Sequence, residues 1–394
     1  MKSSDLEYLF ENIPDAKQNR YPEGAVIENI ALYKQYLDEH EFNFNYKKVG
    51  RGFWGIDLLR TDGSKISTIK NPIYPTNSKI CFSIARNKYK AERYLEAAGV
   101  STTKSNIYGL KDLDKAKREL NDYEKKGIVI KPLNLAFSKG VFSHVSVENF
   151  EHYWNECAKI ILDNKPKEQK ILVQEYVEGF EARVTILEGN VTSIITRVPA
   201  FVLGDGISSI EELIDKKNEQ RKKCGFLSKY PIKKTETIKE FLNQSGYGFE
   251  SVPQKDEYVL LISVSNLVHG GEVIDIMDFV SDEVKETALN GLAAIPGMNC
   301  GGIDIMIKGF DDKSPTIIEV NAFPLLSVTR YPTYGKPSKT IEYFIDATMV
   351  RDQYYNNVDN AYQIPEEGAI ISNYFNFFER KQRLLVNQFT HRPL

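Results

Sequence analysis

Gly302-Ile303-Asp304-Ile305-Met306-Ile307 and Ile317-Ile318-Glu319-Val320-Asn321-Ala322 are two strand-like runs joined by a polar turn, Lys308 to Pro315. Side chains alternate faces along a strand. Ile303, Ile305 and Ile307 therefore share the core face and leave Asp304 on the other. Glu319 and Asn321 point one way, Ile318 and Val320 the other. A hairpin that sets Asp304 against Glu319 crowds two carboxylates unless a cation lies between them. All three side chains are hard oxygen donors, which suit Mg²⁺, or Mn²⁺ in its place, carrying nucleotide phosphates.

Two stretches upstream fit that chemistry. Lys131 ends an apolar strand, Ile128-Val129-Ile130-Lys131-Pro132, and a small-residue loop follows, Leu133 to Gly140. A lysine there can meet phosphate oxygens, which the loop's N–H groups also reach. The G-x-x-x-x-G-K-[ST] spacing is absent, so this is not a Walker loop; a lysine snorkelling to solvent is the plain alternative. In Ile171-Leu172-Val173-Gln174-Glu175-Tyr176-Val177-Glu178-Gly179-Phe180-Glu181 an apolar strand passes into a polar hinge and out into another strand. Such a hinge can offer backbone groups and a side-chain carbonyl to an adenine edge and a carboxylate to ribose, or can simply be solvated strand ends.

The rest of the chain bounds these readings. Its 394 residues suffice for two or three domains, and its 42% apolar and 27% charged residues are those of a globular protein. A formal net charge of −3 supplies no basic field for nucleic acid or an anionic membrane. No apolar run approaches the roughly 20 residues that span a bilayer. Met1 to Arg20 reads as neither signal nor transit peptide. Cys81, Cys157, Cys224 and Cys300 are scattered without C-x-x-C spacing, as expected of reduced, mostly buried cysteines in a cytoplasmic protein.

Periodicity places amphipathic helices over Val26–Leu37 and Ala85–Gly99, and a hairpin turn at Thr61-Asp62-Gly63-Ser64 between Trp54–Leu59 and Lys65–Ile69. Strands and helices then intermix. Strands are expected at Ser105–Tyr108, Gly127–Lys131, Gly140–Val145, Lys170–Tyr176, Glu181–Leu187 and Val191–Val202. Helices are expected at Lys111–Lys125, Val147–Leu162, Ser208–Gln220 and Glu283–Ala294. Lys222 to Pro253 is polar and weakly patterned, and reads as a mobile segment. The aromatic run Tyr374 to Phe378 suits packing or an oligomer contact. Many antiparallel turns among mixed elements argue for α+β layers and against a doubly wound sheet.

In order and spacing these strings resemble the ATP-grasp carboxylate–amine ligases, most of all the ligase modules of cyanophycin synthetases and fused bacterial glutathione synthetases. The resemblance is carried by Ile130-Lys131-Pro132, Val173 to Gly179, Arg197-Val198-Pro199-Ala200 with Gly204-Asp205-Gly206, Ile210 to Ile214 with Lys217-Asn218, and Ser265-Asn266 before Gly270-Gly271. Gly302-Ile303-Asp304-Ile305, Glu319 to Pro324 and Tyr331 to Pro337 complete it. It covers about residues 80–340. It implies an ATP-grasp fold, ATP held between two α+β subdomains, with an N-terminal α/β pre-grasp domain. The corresponding division is 1–80 for the substrate-side domain, 81–180 for the small lid subdomain, 181–340 for the C-terminal subdomain with the metal site, and 341–394 for an extension.

Carried over position by position, the resemblance makes Lys88 and Lys131 phosphate-binding lysines, and Ser138, Lys139 and Gly140 a mobile loop over the phosphates. Gln174 replaces the usual glutamate at the adenine edge, beside Glu175; Tyr176 and Val177 give backbone contacts, and Glu181 meets the ribose. Asp304, Glu319 and Asn321 match the metal ligands, with two Mg²⁺ ions. Arg183 and Arg197 are expected to hold the substrate carboxylate and the oxyanion. Related ligases commonly carry an arginine where this chain has Ile262; Arg330 is expected to supply that charge. His269 reads as a structural or substrate-contact residue. The implied reaction is ATP-dependent amide formation between two small amino-acid-type substrates, with L-aspartate and L-methionine one pair it suggests. A small-molecule kinase and a catalytically silent nucleotide-binding regulator are the alternatives. The expected partners are small molecules, not nucleic acid or membrane, and ligases of this kind are often homodimers.

Overall fold

Antiparallel sheets faced by helices make up the protein in a computed structural model, which describes residues 1–13, 29–48, 54–70, 74–120, 127–135, 139–223, 227–357 and 362–390. The chain divides into two compact units, each assembled from separated stretches. One combines Met1–Pro75, Phe180–Val280 and Phe323–Asn373; the other combines Thr76–Gly179, Ser281–Ala322 and Tyr374–Leu394.

In the second unit a four-stranded antiparallel sheet runs in the order Ser105–Gly109, Lys170–Glu175, Ile128–Pro132, Phe142–Val145. Alternation decides its two faces. Tyr108, Ile128, Ile130, Ile171 and Val173 turn to the helix Phe150–Asn164, which buries Phe150, Trp154, Cys157 and Ile161 at helical spacing. Ser105, Lys131 and Gln174 turn the other way. The strand Cys300–Ile307 pairs antiparallel with Thr316–Asn321, and the helix Asp282–Ala293 packs on both. The helix Lys88–Ala97 starts at an N-cap, Asn87, whose side chain accepts from Lys90 N, and gives way to Gly99 at φ +72°. It lies against the strand Thr316–Asn321.

In the first unit Phe180–Leu187, Asn190–Val198 and Glu272–Asp275 form successive antiparallel pairs. A separate sheet joins Phe44–Lys48, Trp54–Leu59 and Lys65–Lys70 around the expected turn. The expected mobile segment is corrected here: within it Glu236–Gln244 is a helix capped by Thr235, whose side chain accepts from Ile238 N. Ile238 and Leu242, one turn apart, are buried with Ile210, Leu213 and Val259. Ile238, Phe241 and Leu242 stand at helical spacing in it, a signal that the polar residues around the helix obscured. The helix expected from Val26 is described from Asn29 to Glu39, its first residues lying outside the described ones.

The mixed helices and antiparallel sheets are the α+β arrangement expected. Among the described residues, no helix is long and apolar enough to cross a membrane. Cys81, Cys157 and Cys300 are buried. Burial pushes the thiols of Cys81 and Cys157 up to about 11 and about 12, which argues against a thiolate nucleophile at either; Cys224 lies outside the described residues.

Trp154 is the largest fully buried side chain and also donates from Nε1 to the Leu110 carbonyl (3.3 Å). Trp154→Ala is expected to lower unfolding free energy by about 3–5 kcal/mol in urea denaturation. A loss below about 1 kcal/mol would show that this core does not hold the sheet.

Candidate active site

The hairpin register sets Asp304 directly opposite Glu319, with Asn321 opposite Gly302 and the pairing shifting just after Asp304. Asp304 is 1% exposed, so the face expected to be open is covered as well. Two carboxylates this close raise each other's energy, and a cation is the physical remedy. Part of the remedy is built in. Lys88, the first residue of its helix, sets Nζ 3.3 Å from Glu319 Oε1 and donates to the Leu135 carbonyl (3.1 Å). Two acids and an amide from adjacent strands fit a hard divalent cation. Among the described residues, no three His, Cys, Asp or Glu side chains cluster as a metal site. Three side chains are fewer than the roughly six or more oxygens such a cation takes, so a cation held here would draw its other ligands from elsewhere.

Lys131 lies on the same face of the four-stranded sheet as Gln174, and its Nζ donates to Gln174 Oε1 (2.8 Å). Burial pulls its pKa down to about 8 and the Lys88 charge adds to the shift; Glu319, Glu92 and Asp304 oppose it. The Gln174 carbonyl, expected at the adenine edge, thus accepts from Lys131 in this structure. Its amide nitrogen contacts Thr103 Oγ1 (2.5 Å), Ser105 Oγ (2.9 Å) and Glu92 Oε2 (3.3 Å). A buried amide satisfies its donors and acceptor inside the protein when partners are in reach.

The hinge beyond Gln174 is tied back to its sheet. Glu175 Oε1 accepts from Lys104 N (3.1 Å), and Tyr176 N donates to the Gly127 carbonyl (3.0 Å), so that N–H is already used. Val177 follows in irregular backbone. Gly179 has φ +122°, and a Cβ there would come within 2.2 Å of the Ile307 carbonyl oxygen, so only glycine fits. In the loop expected over the phosphates, Lys139 is exposed and Gly140 turns at φ +71°. Ser138 lies outside the described residues.

The remaining predicted residues belong to the first unit. Register and alternation put Arg183 and Arg197 on one face of their strands: Arg183 pairs with Ile195, two residues before Arg197. Glu181, expected at a ribose, and Arg197, expected at a substrate carboxylate, bind each other, with Arg197 Nε 2.8 Å from Glu181 Oε1. Arg330 is 2.5 Å from Glu342 Oε1 and donates to the Ser338 carbonyl (3.1 Å). Ile262 packs against the Ile238–Leu242 core. His269 is exposed at the end of a short 3₁₀ turn.

Sequence reasoning missed two groups. Glu92 lies one turn beyond Lys88 on the same helix face, and with Lys88, Thr103 and Glu319 lines a small cleft. In the first unit, buried Glu272 binds Lys217 (3.0 Å), Arg221 (3.2 Å) and the Tyr334 hydroxyl (3.0 Å). Lys217 and Tyr334 stood inside strings noted for their order. Their shared partner lies far away in sequence, so nothing local announced it.

Asp304→Asn is expected to remove most of the Mg²⁺ dependence of nucleotide binding, with melting temperature read with and without Mg–ADP. Mg–ADP should raise the melting temperature of the wild type and leave that of the variant within about 1 °C of its ligand-free value. An equal rise in both would exclude Asp304 from the cation site.

No family model matches the chain. A glutathione biosynthesis bifunctional protein GshAB of Clostridium perfringens is 29% identical over 355 residues, covering 82% of this chain and 45% of that protein. A cyanophycin synthetase of Synechocystis is 31% identical over 265 residues, covering 64% of this chain and 29% of that protein. A solved bifunctional glutathione synthetase from Pasteurella multocida superposes with a TM-score of 0.62 at 23% identity, covering 82% of this chain and 44% of that one. The chain thus spans less than half the length of these relatives. In sequence the chain is similar to these bifunctional glutathione proteins and this cyanophycin synthetase, and it shares the α+β fold of the solved one, in line with the expected resemblance to ATP-grasp carboxylate–amine ligases.

Proposed function

We propose that the protein is an ATP-dependent, ADP-forming ligase that joins the carboxylate of one amino-acid-type substrate to the amine of another through an acyl phosphate. The observation that carries this reading is the pairing of Asp304 with Glu319 in a unit that also holds Lys88 and Lys131. Asp304, Glu319 and Asn321 would hold Mg²⁺, which when bound offsets charge on the transferring phosphoryl group. Lys88 and Lys131 add fixed positive charge without a covalent enzyme intermediate. Arg183 and Arg197 are the forks for the substrate carboxylate and the oxyanion, with Arg197 exchanging Glu181 for substrate. The loop through Ser138, Lys139 and Gly140 would exclude water from the acyl phosphate. L-Aspartate and L-methionine are the proposed pair. A cytoplasmic setting and a homodimer belong to the same proposal.

Pairwise amino-acid screening by ADP release, followed by product mass, tests it. ADP should appear only when a carboxylate donor and an amine acceptor are both present, with a product mass equal to their sum less water. Release with one substrate would point to a kinase. No Mg-dependent release across the panel would point to a silent nucleotide-binding regulator.

Arg330→Ala should lower turnover at saturating substrates about tenfold or more; near-normal turnover would end its proposed role beside the acyl phosphate. A pH series gives a further check. Because folding depresses the Lys131 pKa from 10.5 to about 8, charging this amine costs stability below about 8, and that cost fades as pH rises toward 10.5. Phosphate binding runs the other way, since it needs the charged amine. The Kd of Mg–ADP should be flat below pH 7 and rise by up to roughly tenfold per pH unit above about 8. A flat profile to pH 9.5 would remove Lys131 from the phosphates.

A further inference from the structure

Behind Lys131 stands a chain of buried polar groups that ends in a carboxylate. Glu92 is 3% exposed, and Gln174, Thr103 and Ser105 are also buried. The Glu92 carboxylate accepts the Ser105 N–H (2.8 Å), the Thr103 hydroxyl (3.2 Å), the Ser105 hydroxyl and, from the partly exposed Arg93, a guanidinium N–H (2.8 Å). With both hydroxyl protons drawn to Glu92, the two hydroxyl oxygens present only lone pairs to Gln174. That environment admits one orientation of the amide: Nε2 toward Thr103, Ser105 and Glu92, and Oε1 toward Lys131. The reverse orientation would set an NH₂ group against an ammonium and a carbonyl against a carboxylate.

We propose that Glu92 is a positioning residue for the nucleotide: acting through Thr103, Ser105 and the amide of Gln174, it fixes Nζ of Lys131 where the phosphates are held. The arrangement separates two demands. Lys131 needs an acceptor that holds its flexible side chain in place and a positive charge left for phosphate. A neutral carbonyl polarised by a more distant anion satisfies both. The proposal rests on the reading of Lys131 as a phosphate-binding residue.

The test is a set of variants, with Mg–ADP affinity measured by calorimetry beside melting temperature. Glu92→Gln leaves the hydroxyls free to turn and the amide free to flip, and should weaken Mg–ADP binding about tenfold. Thr103→Val, nearly isosteric, should act in the same direction and decides the matter if Glu92→Gln does not fold. Gln174→Glu sets two carboxylates side by side and an anion against Lys131, and should weaken binding further. Combining Glu92→Gln with Gln174→Glu moves the charge instead of doubling it, and should recover affinity relative to Gln174→Glu alone, a coupling that independent structural damage would not produce. Wild-type affinity in both Glu92→Gln and Thr103→Val, or a double variant no better than Gln174→Glu, would overturn the proposal. A wild-type protein that binds Mg–ADP but forms no amide would defeat the ligase reading alone and leave these affinities readable.

Discussion

Two carboxylates that face each other across a β-hairpin are a standing electrostatic cost, and the second unit of this protein is arranged around meeting it. Asp304 and Glu319 are register partners in a hairpin that buries Ile303, Ile305, Ile317 and Val320, and the pairing shifts just after Asp304, so that Ile317 and Val320, three residues apart, are both buried. Lys88 answers part of the charge from a helix whose Ala91 and Leu95 are buried. Lys131 contributes more from a strand whose neighbouring residue, Ile130, is locked under Trp154. Asp304, Glu319 and Asn321 would still offer hard oxygen ligands to a divalent cation, whose other ligands would be phosphate or water oxygens.

Lys131 and Lys217 show two ways of keeping a buried lysine. Lys217 meets Glu272 directly, together with Arg221 and the Tyr334 hydroxyl. That cluster is closed on itself, and its charges hold separated segments of the first unit together. Lys131 meets a neutral amide, and its pKa falls to about 8. Burial lowers the pKa of both lysines; what differs is the partner, a carboxylate for Lys217 and a neutral amide for Lys131.

Much of this was legible along the chain because it rests on short-range rules. Period-two alternation made Asp304 and Glu319 visible, and glycine stops such as Gly99 marked helix ends. The order of motifs pointed to the family. Legibility failed where a residue's meaning depends on a distant partner. Nothing beside Gln174 in the sequence announced that Lys131, 43 residues before it, donates to its carbonyl. Glu92 looked like any acid on a polar helix. The helix Glu236–Gln244 carries Ile238, Phe241 and Leu242 at helical spacing, but it lies in a polar stretch and its partners Ile210, Leu213 and Val259 come from other segments.

The sequence by itself determined which strands form, which faces carry the acids and lysines, and the α+β class, because alternation, turn residues and caps act over a few residues. Tertiary structure alone decided which of those groups meet: that Lys88 reaches Glu319, that Arg197 holds Glu181, and that a buried anion at Glu92 orients an amide against Lys131. Hydrogen bonds and ion pairs act over a few ångströms of space. Separation along the chain leaves that distance undetermined until the core has packed.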